Sequence, residues 1–135
     1  MSTVVDSGLF LALLHQGDPG YEAAVAFFQE ARRGKHGTLL CPDAVYVEVM
    51  NYLRRRPTRR NACDKMRNLR ASNELPVRWL PVGADMMSKA DEAYFRHFDA
   101  ELSMTDAIVL VTARDAGAKV ATFDSGFRGL VPVVP

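Results

Sequence analysis

Residues 2–14 read STVVDSGLFLALL, and one carboxylate breaks the run. The β-branched Val4 and Val5 suit a short buried strand. Ser7 then stands near the start of a helix, SGLFLALLHQ. Asp6 falls at the junction, where a charge is costly to bury unless it is paired or bound to a metal. A buried strand that ends in an acid and feeds a helix is the opening unit of an α/β fold.

The same alternation continues outward from this unit. GDPG (17–20) is a break, with Asp18 as a helix cap and Pro19 at the first helical position. YEAAVAFFQEARRG is an amphipathic helix that Gly34 stops. GTLLC is a second strand, and Pro42 and Asp43 begin the helix PDAVYVEVMNYLRRR. Pro57 breaks that helix and TRRNACDKMRNLRASN restarts one. VRWLPV is a short strand, followed by the helices GADMMSKADEAYFRHFDAE and SMTDAIVLVTARDAG. AKVATFD is a strand that again ends in an acid, and LVPVV is a terminal strand that Pro132 assigns to a sheet edge. Strands alternating with helices predict a parallel sheet covered by helices on both faces.

The totals agree with one domain over residues 1–135. Apolar residues make up 48% and charged residues 24%, enough to bury a core. No apolar run is long enough to span a bilayer, and Asp6 interrupts the only candidate signal-peptide core. Cys41 and Cys63 have no zinc-ligand spacing and fit a reducing, cytoplasmic setting. Phe10, Phe27, Phe28, Tyr46 and Phe95 read as core aromatics at helical spacing.

Three more acids share the oddity of Asp6. Glu48 lies inside AVYVEVMNYL, Asp106 opens the most hydrophobic helix, and Asp124 ends KVATFD. Each has a local explanation. Asp6 could cap its helix, Asp106 could complete a capping box with Ser103, and Asp124 could make a turn in FDSG. Glu48 is interior to a helix and cannot cap, so its plain alternative is an arginine salt bridge. Jointly the four carry more weight. Ligands gather outside the carboxyl ends of parallel strands, where all four can face one edge. Converging carboxylates repel one another, and a hard cation such as Mg²⁺ or Mn²⁺ relieves that repulsion. Such a site supports metal-assisted phosphodiester hydrolysis. Asp115, nine residues beyond Asp106 at about 100° per residue, falls on the opposite helix face.

In VVDSGLFLALL, PDAVYVEVMNYL and SMTDAIVLVTARDAGAKVATFDSGF the sequence resembles the PIN-domain ribonucleases, most closely the VapC-type toxins of prokaryotic toxin–antitoxin pairs. The likeness covers essentially the whole chain. It implies a three-layer α/β/α sandwich with a central parallel sheet and an Mg²⁺- or Mn²⁺-dependent endoribonuclease. Position by position, Asp6, Glu48 and Asp106 match the first three acids, and Asp124 the acid of the T-x-D-x-x-F element, here TFDSGF. Thr105 and Ser125 match the small polar neighbours. Asp6 and Asp106 would be the main metal ligands, with Glu48 and Asp124 adding to them. Water would be the nucleophile, leaving a 5′-phosphate and a 3′-hydroxyl. The likeness also implies a homodimer and a cognate antitoxin covering the acidic cleft.

RRRPTRRNACDKMRNLR holds eight of the 17 basic residues and a single acid. Arg54, Arg55, Arg56, Arg59 and Arg60 are therefore candidates to track RNA phosphates, with a solvated helix face as the alternative. An aspartyl-phosphate phosphatase would want a second Asp two residues after Asp6, where Gly8 stands. No G-x-G-x-x-G follows the first strand, which disfavours a dinucleotide enzyme. The remaining alternative is a non-catalytic RNA-binding or regulatory module of the same fold.

Overall fold

The computed structural model describes residues 1–57 and 59–135, with the backbone alone for Arg59. Five strands form one sheet: β1 (Ser2–Val5), β2 (Thr38–Pro42), β3 (Val77–Leu80), β4 (Lys119–Ala121) and β5 (Val133–Val134). Their order is β3-β2-β1-β4-β5, and every pairing is parallel. The sheet is registered by pairs such as Val4↔Leu40 on one side of β1 and Val4↔Val120 on the other. β1 is central, and Thr3, Val4 and Val5 are fully buried, as a strand covered on both faces must be.

Among the described residues, six α-helices connect the strands: α1 (Ser7–Leu13), α2 (Tyr21–Arg32), α3 (Asp43–Leu53), α4 (Arg59–Ala71), α5 (Ala84–Arg96) and α6 (Met104–Ala116). Right-handed crossovers between parallel strands place α1–α4 on one face and α5–α6 on the other. The packing agrees. α1 lies against α2 and α3, and α3 against α4, while α5 pairs with α6 and α6 rests on β1, β2 and β4. The result is the predicted three-layer α/β/α arrangement. α6 is buried from Ala107 to Ala113 without a break, so it reads as apolar all round rather than amphipathic.

Several boundaries differ from the sequence reading for local reasons. Asp18 does not cap α2. Its Oδ1 accepts from the Gly20 N–H at 2.7 Å, closing a turn, and the helix starts at Tyr21, so Pro19 stays outside it. α5 stops at Arg96, and a 3₁₀ turn (Phe98–Ala100) ends at Glu101 with φ of 57°. β4 ends at Ala121, three residues before Asp124, because Thr122 and Asp124 spend their polar groups on a turn. Pro132 does border an edge strand, and its carbonyl accepts from the Val120 N–H.

The aromatic core is built around Phe10. Its ring centroid lies 5.6 Å from both Phe28 and Trp79, tying α1 to α2 and β3. Phe27 and Phe28 are buried as expected, and Tyr46 packs edge-on against Trp79. Phe95 does not belong to this core: it is 70% exposed and stacks on the exposed Phe98. The α5 periodicity points Ala90 and Ala93 inward instead. Cys41 is buried and Cys63 half-buried, both as free thiols.

Because Phe10 is completely buried and joins three elements, Phe10→Ala should cost about 3–5 kcal/mol. Urea denaturation checks this. A loss below about 1 kcal/mol would show that the site collapses around the deletion.

Candidate active site

Strand order reverses at β1, which sends its neighbours β2 and β4 to opposite sides. The crevice above such a switch point is where open α/β sheets place ligands. Asp6 follows the last residue of β1, and its backbone N–H donates to the Ala121 carbonyl of β4. The chain therefore presents the Asp6 side chain directly over the switch point.

Asp6 is only 4% exposed. Its Oδ1 accepts from the Ser7 N–H at 2.8 Å, capping α1, and its Oδ2 accepts from the Thr122 hydroxyl at 2.8 Å. Burial pushes its pKa up from 3.8 to about 6. The two hydrogen bonds oppose that push, while the charges of Asp106 and Glu48 add to it. Asp106 sits in the first turn of α6 in a closed capping box: Ser103 Oγ accepts from its N–H and its Oδ2 accepts from the Ser103 N–H, both at 3.0 Å. Burial raises its pKa, Ser103 lowers it and the charge of Asp124 raises it. Glu48 projects from the middle of α3. Burial raises its pKa, the approach of the Ser7 hydroxyl offsets part of this, and Asp106 adds repulsion. Its Oε2 is buried with no hydrogen-bond partner among the described residues. Asp124 is exposed, and its Oδ1 accepts from the Gly126 N–H at 2.8 Å.

The structure thus brings the four predicted acids into one electrostatic neighbourhood. It also satisfies the local alternatives, since Asp6 caps, Asp106 closes a capping box and Asp124 makes its turn. Those roles leave free acceptor capacity, because each carboxylate oxygen can accept twice. The arginine alternative for Glu48 is not realised among the described residues. Asp115, set aside on helical geometry, pairs with Lys89 at 3.0 Å.

The supporting residues divide. Thr105 lines an open groove together with Glu48. Ser125 is exposed at the start of a 3₁₀ turn. Thr122, which sequence reasoning passed over, is the buried hub: its hydroxyl donates to Asp6 and accepts from the Asp124 N–H at 2.9 Å. The available signal was its place at a strand end, two residues before an acid. Of the arginine candidates, Arg60 pairs with Asp64 and Arg56 stacks on Tyr52. Arg54 is exposed, and Arg55 is exposed beside the same groove as Glu48. The Arg59 side chain lies outside the described residues.

Asp6, Glu48, Asp106 and Asp124 offer only carboxylate oxygens, which suit a hard divalent cation. The buried, unpartnered Glu48 Oε2 and the raised pKa of Asp6 are the marks of a site short of positive charge. Among the described residues, no three His, Cys, Asp or Glu side chains close into a ready-made cage. An open arrangement of that kind fits Mg²⁺, which keeps several of its waters and takes few carboxylates.

An all-parallel α/β domain with an acidic crevice at its switch point defines a class of candidate metal-assisted hydrolases. The PIN domain family matches residues 3–130, and the chain belongs to that family. Among solved structures it is similar to the Mycobacterium tuberculosis toxin VapC20, a Sarcin-Ricin loop cleaving toxin, at 29% identity and a TM-score of 0.81, over 98% of this chain and 99% of that one. It shares the fold of VapBC2 from Rickettsia felis, bound to a promoter DNA fragment (10% identity, TM-score 0.71, 99% and 98% covered), and of FitAcB from Neisseria gonorrhoeae (18%, 0.68, 98% and 96%). No curated protein matches the chain. Among the described residues, no helix is long and apolar enough to cross a membrane.

The raised pKa of Asp6 has a direct consequence for stability. The folded chain holds this proton more tightly than the unfolded chain, so the contribution is favourable at low pH. It is lost as pH rises from about 4 to about 6, by about 3 kcal/mol at most. In chelator, Asp6→Asn should lack that slope and be more stable than wild type near pH 7.5, by about 1–3 kcal/mol. Thermal melts of both proteins across this range decide it. An Asn variant less stable than wild type near pH 7.5 would mean that capping outweighs repulsion.

Proposed function

We propose that the chain is a divalent-metal-dependent endoribonuclease, the toxin of a toxin–antitoxin pair, acting as one PIN-like unit. The observation that carries this reading is the meeting of Asp6, Glu48 and Asp106, each with its pKa raised by burial and by another acid, at the sheet's switch point. Nuclease activity follows the family. Cleavage of RNA is supported by the end-to-end likeness to a toxin that cleaves the Sarcin-Ricin loop.

Asp6 and Asp106 would hold Mg²⁺ or Mn²⁺, with Glu48 and Asp124 joining directly or through water. When bound, the cation supplies Lewis acidity and neutralises phosphate charge. The chain's own groups do the rest. Thr122 fixes Asp6 and Asp124 relative to each other. Ser103 fixes Asp106 at the helix start. Glu48 Oε2, which has no hydrogen-bond partner among the described residues, accepts the proton of the attacking water. The P–O3′ bond then breaks, leaving a 5′-phosphate, while solvent protonates the 3′-oxygen. An antitoxin would silence the enzyme by covering the crevice, and the family likeness supports a homodimer as the working form.

Purified protein, given structured RNA such as a Sarcin-Ricin loop and unstructured RNA, should cut RNA with Mg²⁺ or Mn²⁺ and lose all cutting in chelator. Glu48→Gln and Asp106→Asn should each lower the rate about 100-fold or more, and Asp124→Asn less. Products should carry 5′-phosphates by ligation assay. Cation binding without cleavage of any RNA would favour the non-catalytic module instead.

A further inference from the structure

Ala44, Val47, Glu48, Asn51, Tyr52 and Arg55 recur every three or four residues along α3 and the turn after it. They form one stripe on a helix surface. With Thr105 from α6, they line an open groove of about 520 Å³. Glu48 ties this groove to the acidic crevice. Tyr52 lies four residues further on, about 6 Å along the same face.

The far end of the groove differs in chemistry from the near end. Tyr52 is 39% exposed. The Arg56 guanidinium sits over its ring, 4.4 Å from the centroid, and holds the ring in place by a cation–π contact. Arg55 has no acidic partner within ion-pair distance among the described residues, whereas Arg60 and Arg70 have Asp64 and Asp43. Asn51 adds an exposed amide between Glu48 and Arg55. A fixed aromatic ring, an unneutralised guanidinium and an amide match the base, the phosphate and the base edge of one nucleotide.

We propose that this groove is a nucleotide subsite for single-stranded RNA next to the scissile phosphate: Tyr52 stacks a base, Arg55 binds a flanking phosphate and Asn51 reads a base edge. The inference rests on the ribonuclease reading and adds to it the part of the RNA that the protein grips. Charge suits RNA here: a nucleotide neutralises Arg55 and delivers its neighbouring phosphate to the crevice that Glu48 enters.

The test uses the cleavage-silent Asp106→Asn chain, with Mg²⁺ present, and a short fluorescein-labelled single-stranded RNA of mixed sequence. Tyr52→Leu, which keeps apolar bulk but loses the flat ring, should weaken binding about ten-fold, and Tyr52→Phe should bind as the parent does. Arg55→Gln should weaken binding and reduce the salt slope by about one, with Arg33→Gln on α2 as a charge control that changes neither. In the active chain the Tyr52→Leu loss should appear in KM and vanish when the probe is abasic. If the active chain cleaves RNA and Tyr52→Leu leaves KM and binding unchanged, the subsite is wrong and the enzyme stands. If Tyr52→Leu instead shifts the sedimentation of the RNA-free protein, the groove is a protein interface and the subsite is wrong. If the active chain cuts no RNA, the ribonuclease reading and the subsite fall together.

Discussion

Burial of carboxylates at the end of the central strand, sharpened by their mutual repulsion, is the constraint on which the rest of this structure depends. An acid at the end of the central strand cannot be solvated from the sheet side. Its neighbours across the crevice carry the same sign. The fold tolerates the arrangement by splitting the work of each acid. One oxygen of Asp6 caps α1 and the other takes the Thr122 hydroxyl. Asp106 gives one oxygen to its capping box and Asp124 gives one to its turn. Local hydrogen bonds thus offset part of the desolvation cost and keep each acid from turning away. Glu48 alone among the four has a buried oxygen with no such compensation among the described residues.

That division explains why local and functional readings of these residues do not compete. A capping Asp is already aimed, because the cap fixes its rotamer over a helix N-terminus. The geometry of the candidate site is then inherited from secondary structure rather than from a separate loop. Rigid positioning of this kind is what charge stabilisation in a transition state requires.

The fold was legible in the sequence because buried parallel strands and amphipathic helices leave distinct periodicities, and breaks such as Pro57 and Gly117 are chemically explicit. Boundaries were less legible where side chains compete with the backbone. Asp18 makes a turn instead of a cap, and Thr122 and Asp124 end β4 early. The four acids could be found as charges in apolar settings. Thr122 could not, since a threonine at a strand end is ordinary until its hydroxyl is seen to link two acids 118 residues apart in the chain. Phe95 misled for the opposite reason. Helical spacing places it among aliphatics in sequence, yet the small Ala90 and Ala93 take the inward face of α5.

The basic stretch shows how structure subdivides what composition lumps together. Eight basic residues in one segment suggest a single phosphate track. The fold distributes them: Arg60 and Arg67 answer Asp64, Arg70 answers Asp43, and Arg56 supports Tyr52. A cation already paired within the chain gives up an exposed pair worth about 0–1 kcal/mol when it meets a phosphate. Arg55 has no such competitor among the described residues and lies beside the groove that Glu48 enters. Position relative to the acids, rather than density of charge, is therefore what distinguishes Arg55 within the basic stretch.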